Sequence, residues 1–110
     1  MRKTMITAGT VIISLLTLIA SLQVNAQVRD PNEYFFNHTL GDLTEELEIA
    51  REENKKGIII MFEDDDCPFC ARMKKTVLNQ SEVQDYYRKN FHILTIDVQG
   101  DVEITDFDGN

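Results

Sequence analysis

Ile58-Ile59-Ile60-Met61-Phe62-Glu63-Asp64-Asp65-Asp66-Cys67-Pro68-Phe69-Cys70 reads as a strand, an acidic loop and the first turn of a helix. Residues 58–62 are apolar on both faces, the pattern of a central strand covered from both sides. The chain's only two cysteines follow, Cys67 and Cys70. At the mouth of a helix, Cys67 falls where orphan N–H groups and the helix dipole favour a thiolate. Cys70 lies one turn further along the same face, close enough to close a disulfide across the turn. Pro68 suits the first helical turn because it has no N–H to leave unbonded. A strand feeding a Cys-x-x-Cys at a helix N-terminus is the arrangement that dithiol–disulfide chemistry needs.

A bare Cys-x-x-Cys has rival readings. Half a zinc site would need two more soft or imidazole ligands. Only His38 and His92 remain, outside any His-x(3–5)-His spacing, so neither a metal nor another cofactor is expected. A structural staple would enclose a loop too small to constrain the unfolded chain much. The coincidence of strand, motif and helix points to redox chemistry, with Cys67 and Cys70 as its residues.

The chain opens with Arg2 and Lys3, continues in an apolar stretch from about Ile6 to Leu22, and then reads Val24-Asn25-Ala26. This is the pattern of a secretory signal peptide, residues 1–26, cleaved after Ala26. The stretch is short for a membrane span and carries Thr7, Thr10, Ser14, Thr17 and Ser21. With Arg2 and Lys3 removed, nine of the 11 basic residues face 19 acidic ones, a net charge of −10. That balance disfavours nucleic acid and an anionic membrane surface as partners. Export, to the periplasm or outside the cell, takes the cysteine pair out of the reducing cytosol. A dithiol there must be kept reduced by a dedicated donor or be held as the disulfide.

Asp30-Pro31-Asn32-Glu33 carries an N-cap, a Pro at N1 and a capping-box acid, so a short helical turn should run through Tyr34-Phe35-Phe36, whose aromatics are expected to pack. Asn37-His38-Thr39 matches a glycosylation acceptor. Asp42-Leu43-Thr44-Glu45 is a second capping box, opening a helix over about 42–55. Leu40, Leu43, Leu47 and Ala50 fall on its apolar stripe, Glu45, Glu46, Glu48, Glu52 and Glu53 lie on a solvated acidic face, and Gly57 is its C-cap. A helix is expected from Pro68 to about Asn79 with Phe69, Met73 and Val77 on one side. Ser81 should cap another to about Lys89, with Val83 and Tyr87 inward. Phe91–Val98 reads as a strand with His92, Leu94, Ile96 and Val98 on one face, which makes His92 a strand residue and not a catalytic base. Gly100-Asp101 breaks it, Val102–Phe107 is extended, and Asp108-Gly109-Asn110 is a turn.

The order helix, strand, Cys-x-x-Cys helix, helix, strand resembles the first part of a thioredoxin fold, an α/β architecture. The run Phe62–Asn79, with Val83, Tyr86-Tyr87 and Ile96-Asp97-Val98-Gln99-Gly100-Asp101, is similar to exported thioredoxin-like proteins, including those of bacterial sulfur oxidation. The resemblance covers roughly residues 33–110. It implies that Cys67 attacks a substrate disulfide and Cys70 resolves the mixed disulfide. Pro68, Phe69, Glu63 and Asp66 are the supporting residues around the pair. Thioredoxins carry a buried proton-relaying acid six residues before the first cysteine. Met61 stands there, and Glu63, on the same side of the strand, is the nearest substitute. The family fold continues with a cis-Pro loop, a β-hairpin and a last helix. Residues 27–110 are therefore expected to form an incomplete, truncated domain.

Two function classes follow. One is a thiol-disulfide oxidoreductase on the reducing side, with disulfide-bearing exported proteins as substrates and a periplasmic or membrane thiol as electron donor. The other is a non-catalytic thioredoxin-like binding module, or inactive fragment, whose cysteine pair is a staple. Reduction potential and thiolate pKa separate them.

Overall fold

Residues 27–110 are described by a computed structural model of the chain. The expected signal peptide, residues 1–26, lies outside the described residues. The elements in chain order are α1 (Pro31–Tyr34), α2 (Leu43–Glu52), β1 (Ile58–Glu63), α3 (Pro68–Thr76), α4 (Ser81–Asn90) and β2 (His92–Asp97).

The capping boxes work as their chemistry requires. The Asp30 side chain accepts from the Asn32 N–H, and Asp42 accepts from the Thr44 and Glu45 N–H groups. Each bond satisfies a donor that the first helical turn leaves free. Hydrogen bonds from the Thr44 hydroxyl and the Glu45 amide, joined by that from the Thr44 amide, hold the Asp42 carboxyl below its ordinary pKa. The end of α2 corrects the expected C-cap. Asn54, at φ 56°, takes the left-handed position assigned to Gly57. The Lys55 N–H then reaches the Ala50 carbonyl, closing the helix in a Schellman-type turn.

β1 and β2 pair in parallel, with Ile58 opposite His92 and Glu63 opposite Asp97, and form a two-stranded sheet. The crossover through α3 and α4 is what a parallel pair demands. β2 is the core strand. Phe35, Phe36 and Ile93 are buried on one of its faces, against Ile59, Met61, Leu78 and Phe91. Leu43, Leu94 and Ile96 are buried on the other, against Ile58 and Ile60. The alternation expected for β2 holds, except that Val98 lies beyond the strand and is exposed. The Asn37 N–H donates to the Ile93 carbonyl and the Asn37 side-chain oxygen accepts from the Ile93 N–H. That residue of the glycosylation-type triplet is thus engaged in covering the far edge of β2.

Several expectations need correction. β1 is only half-buried, and Phe62 at its end is 62% exposed, because one of its edges has no strand beside it among the described residues. Leu40 precedes α2 and is exposed, so it is not part of that stripe. Glu46 is not on the solvated face: it is buried and hydrogen-bonded to His92, Oε2 to Nε2, at 2.6 Å. Ser81 is the first residue of α4 and not its cap; Gln80 is the N-cap, and its side chain donates to the Thr76 carbonyl of α3 instead of capping α4. The fully buried residue of α4 is Gln84, which was not expected; Val83 is half-buried, and Tyr87, partly exposed, packs edge-on against the buried Phe35. The Gln84 amide donates to the Arg29 and Leu78 carbonyls and accepts from the Arg29 guanidinium, pinning the N-terminal segment to α4.

Thr105 in the extended tail bridges to Asp42, its N–H reaching the Gly41 carbonyl while the Leu43 N–H reaches the Thr105 carbonyl. Gly41 sits at φ 98°, and a Cβ there would run into the Glu103 carbonyl oxygen. The turn at Asp108-Gly109-Asn110 forms as expected, closed onto the Asp106 carboxylate.

Candidate functional site: the cysteine pair

β1 ends at Glu63 and delivers the chain into Asp64-Asp65-Asp66, which leads to Cys67. The loop is shaped by Asp64. Its Oδ1 accepts from the Asp66 N–H at 2.8 Å, its carbonyl from the Cys67 N–H at 3.1 Å, and its Oδ2 from the Gln99 amide at 2.7 Å. Gln99 follows β2, so one carboxylate fastens the entry to the cysteine pair onto the end of the sheet. Asp65 and Asp66 are exposed.

Cys67 is the N-cap of α3, and Pro68 occupies the first helical turn. Cys67 and Cys70 form a disulfide with 5.3 Å between their Cα atoms. The Cys70 N–H donates to the Cys67 sulfur at 3.1 Å. The Cys67 sulfur therefore occupies the place of a capping oxygen, at the end of the helix where the dipole favours negative charge. When the disulfide opens, a Cys67 thiolate inherits that donor. Both cysteines are half-buried, so exposure does not distinguish them; only Cys67 stands at the helix N-terminus. Phe69, between them, is 81% exposed and lies at the mouth of an apolar groove of about 520 Å³ that also touches Cys70, Met73, Val77, Ile59 and Met61.

Glu63 stands on the same strand face as Met61, as expected. Its carboxylate accepts from the Thr95 hydroxyl at 2.6 Å and forms an ion pair with Lys74 at 2.5 Å. Burial raises the Glu63 pKa, but the hydrogen bonds from Lys74 and Thr95 and the Lys74 charge outweigh it, and the net displacement is downward. Lys74 also donates to the Asn32 side chain at 3.2 Å and sits 5.4 Å from the centroid of the Phe36 ring. It thus ties the helix of the cysteine pair to β1, to α1 and to the aromatic core. Its position on the charged side of α3 gave no sign of this: Lys74 becomes a hub only because tertiary packing brings Glu63, Asn32 and Phe36 around it. Gln99 was equally silent.

Cys67, Pro68, Phe69, Cys70, Asp66 and Glu63 thus lie around one strand-to-helix junction. Cys67 and Cys70 are joined directly; Glu63 is engaged by Lys74 and Thr95, and Asp66 by the loop. Among the described residues, no group of three or more His, Cys, Asp or Glu side chains is placed to hold a metal ion, and no helix is long and apolar enough to cross a membrane.

The geometry is compatible with thiol–disulfide exchange: a disulfide at the N-terminus of a helix that follows a sheet strand. No curated protein and no solved structure matches the chain. The family model for the thioredoxin-like domain matches residues 43–110, which span α2, both strands and the cysteine helix. With more than half of its length matched and the cysteine pair at the mouth of α3, the chain belongs to the thioredoxin-like domain family.

Proposed function

We propose that the protein is a thiol-disulfide oxidoreductase that reduces disulfides in other exported proteins. The observation that carries this reading is the Cys67–Cys70 disulfide at the N-terminus of α3, with the Cys70 N–H directed at the Cys67 sulfur. In the reduced protein the Cys67 thiolate attacks one sulfur of a substrate disulfide. That S–S bond breaks, one substrate thiolate leaves, and a mixed disulfide forms. Cys70, as thiolate, then attacks the Cys67 sulfur, the second substrate thiolate leaves, and the Cys67–Cys70 disulfide is regenerated. Two electrons pass to the substrate, and a thiol donor of the periplasm or its membrane returns them to the pair. Export after cleavage behind Ala26 supplies a compartment in which such substrates exist.

The reaction is tested with the dithiothreitol-reduced, desalted full chain and a disulfide-bonded unfolded protein, by counting substrate thiols released. Stoichiometric release that disappears in the Cys67→Ser variant supports the reading, and no release above the buffer rate overturns it. N-terminal sequencing of protein recovered from the exported fraction should begin at Gln27; retention of Met1 in a membrane fraction would mean an uncleaved anchor.

The second reading, a binding module with a structural cysteine pair, is favoured by the open apolar groove beside Cys70. Its signature is a pair that is hard to reduce and exchanges slowly at neutral pH.

A further inference from the structure

The two strands end level, Glu63 opposite Asp97, and the loops that leave them are built alike. After β1, Oδ1 of Asp64 accepts from the Asp66 N–H at 2.8 Å. After β2, Oδ1 of Asp97 accepts from the Gln99 N–H at 2.9 Å, and the Asp97 carbonyl from the Gly100 N–H at 3.2 Å. Each is a turn in which a side-chain oxygen stands in for a backbone acceptor. The second turn is tight: a Cβ on Gly100 would stand 3.2 Å from the Asp97 Cβ and 3.3 Å from its carbonyl oxygen. The Val98 N–H donates to the Glu63 carbonyl at 2.8 Å and holds the start of this turn against the end of β1. One side-chain bond joins the two loops, from Gln99 Nε2 to Asp64 Oδ2 at 2.7 Å.

That bond decides where a charge lies. The Asp64 carbonyl accepts the Cys67 N–H at 3.1 Å, so the residue that carries the carboxylate also fixes the approach to the sulfur. One carboxylate oxygen is turned into its own loop and the other is held toward the end of β2. The Gln99 amide brings a hydrogen-bond donor to that second oxygen and no charge of its own. We propose that Gln99 is a positioning residue of the cysteine pair: by engaging Asp64, it limits how strongly that carboxylate opposes a thiolate at Cys67. This role rests on the oxidoreductase reading of the pair. A donor that holds and partly compensates the carboxylate moderates its repulsion of a nearby thiolate. Gln99 itself is exposed, and Asp64 is half-buried. An exposed hydrogen bond adds little to stability, so the fold should survive its loss and the effect should be read at the sulfur.

The test is a double-mutant cycle on the full chain, read in two ways. In the dithiothreitol-reduced, desalted protein, the pH dependence of iodoacetamide alkylation titrates Cys67. In a glutathione buffer, the ratio of dithiol to disulfide gives the equilibrium constant. Gln99→Leu removes the donor; it should raise the Cys67 pKa and move the glutathione equilibrium about threefold toward the disulfide. Gln99→Glu sets a second carboxylate against the first and should move both further the same way. Asp64→Asn keeps an oxygen for the Asp66 N–H and removes the charge. In that background Gln99→Leu should leave both readouts within error of Asp64→Asn alone. A brace that served the fold alone would lower the urea midpoint and leave the titration where it was. A protein that releases no substrate thiols would overturn the oxidoreductase reading, and the Cys67 titration would still decide the role of Gln99. An unchanged titration in either Gln99 variant, or a Gln99→Leu shift that persists in full beside Asp64→Asn, overturns the inference.

Discussion

At the residue scale, the distinction between the two cysteines comes from helix geometry. Cys67 caps α3 and receives the Cys70 N–H, so its thiolate is the one the helix stabilises. Cys70→Ser should accumulate mixed disulfides with exported proteins, visible as adducts on non-reducing gels, and Cys67→Ser should not; equal trapping by both would reverse or erase the assignment. The carboxylates beside Cys67 act against the helix. Negative charge disfavours the thiolate, and a dithiol whose thiolate is not stabilised gives up electrons more readily. The potential should therefore lie below about −180 mV, toward the reducing side of the protein disulfide isomerase range. Asp64 holds the loop, so the clean test is Asp65→Asn with Asp66→Asn. That pair should lower the Cys67 pKa and raise the potential measured against a glutathione buffer. An unchanged potential would mean that the acids are merely solvated.

At the same scale, Glu63 and Lys74 link the cysteine helix to the sheet. The folded pKa of Glu63 is depressed by Lys74 and Thr95 against the opposing effect of burial. Its stabilisation is present above the unfolded carboxylate value, about 4.3, and is lost as the pH falls through the lower folded value. Lys74→Met should cost about 2 kcal/mol at neutral pH, since it leaves one oxygen of the largely buried Glu63 carboxylate without its cation while Thr95 still serves the other, and should shrink this acid-dependent part of the stability. Urea titrations at pH 7 and in the acid range below the unfolded value read both effects. Equal losses at both pH values would show that Lys74 contributes by packing alone.

At the scale of elements, α2 is anchored to β2 by more than its apolar stripe. Glu46 is buried with His92, and Nδ1 of His92 has no hydrogen-bond partner among the described residues. Glu46→Ala would leave the imidazole with neither nitrogen bonded, a loss of about 1–3 kcal/mol measured by urea unfolding. The pair was hidden in the sequence because Glu46 belongs to a run of acids, where the simplest expectation is solvent. Amphipathic periodicity assigns a face to a helix. It does not say that a single acid at the edge of that face will meet a histidine from a strand 46 residues later. Gly41 is a second element-scale feature. At φ 98° and pressed against the Glu103 carbonyl, its replacement by Ala should lower stability by about 1–3 kcal/mol and loosen the Thr105 bridge, detectable as faster amide exchange at Thr105.

At the scale of the whole molecule, sequence alone determined most of the elements and the place of the cysteine pair. Caps, apolar runs and the Cys-x-x-Cys spacing act over a few residues, so the short helix at Pro31, α2, the cysteine helix and β2 could be read directly, along with Cys67 and Cys70. The long-range partners could not. Lys74 with Glu63, Asp64 with Gln99, Gln84 with Arg29 and Glu46 with His92 join residues of ordinary polar type. Their significance comes only from where the crossover between β1 and β2 places them. The same holds for β1, whose apolar run suggested burial on both sides. Whether an apolar strand is buried depends on what lies beside it, and that is a property of the packed sheet and not of the strand.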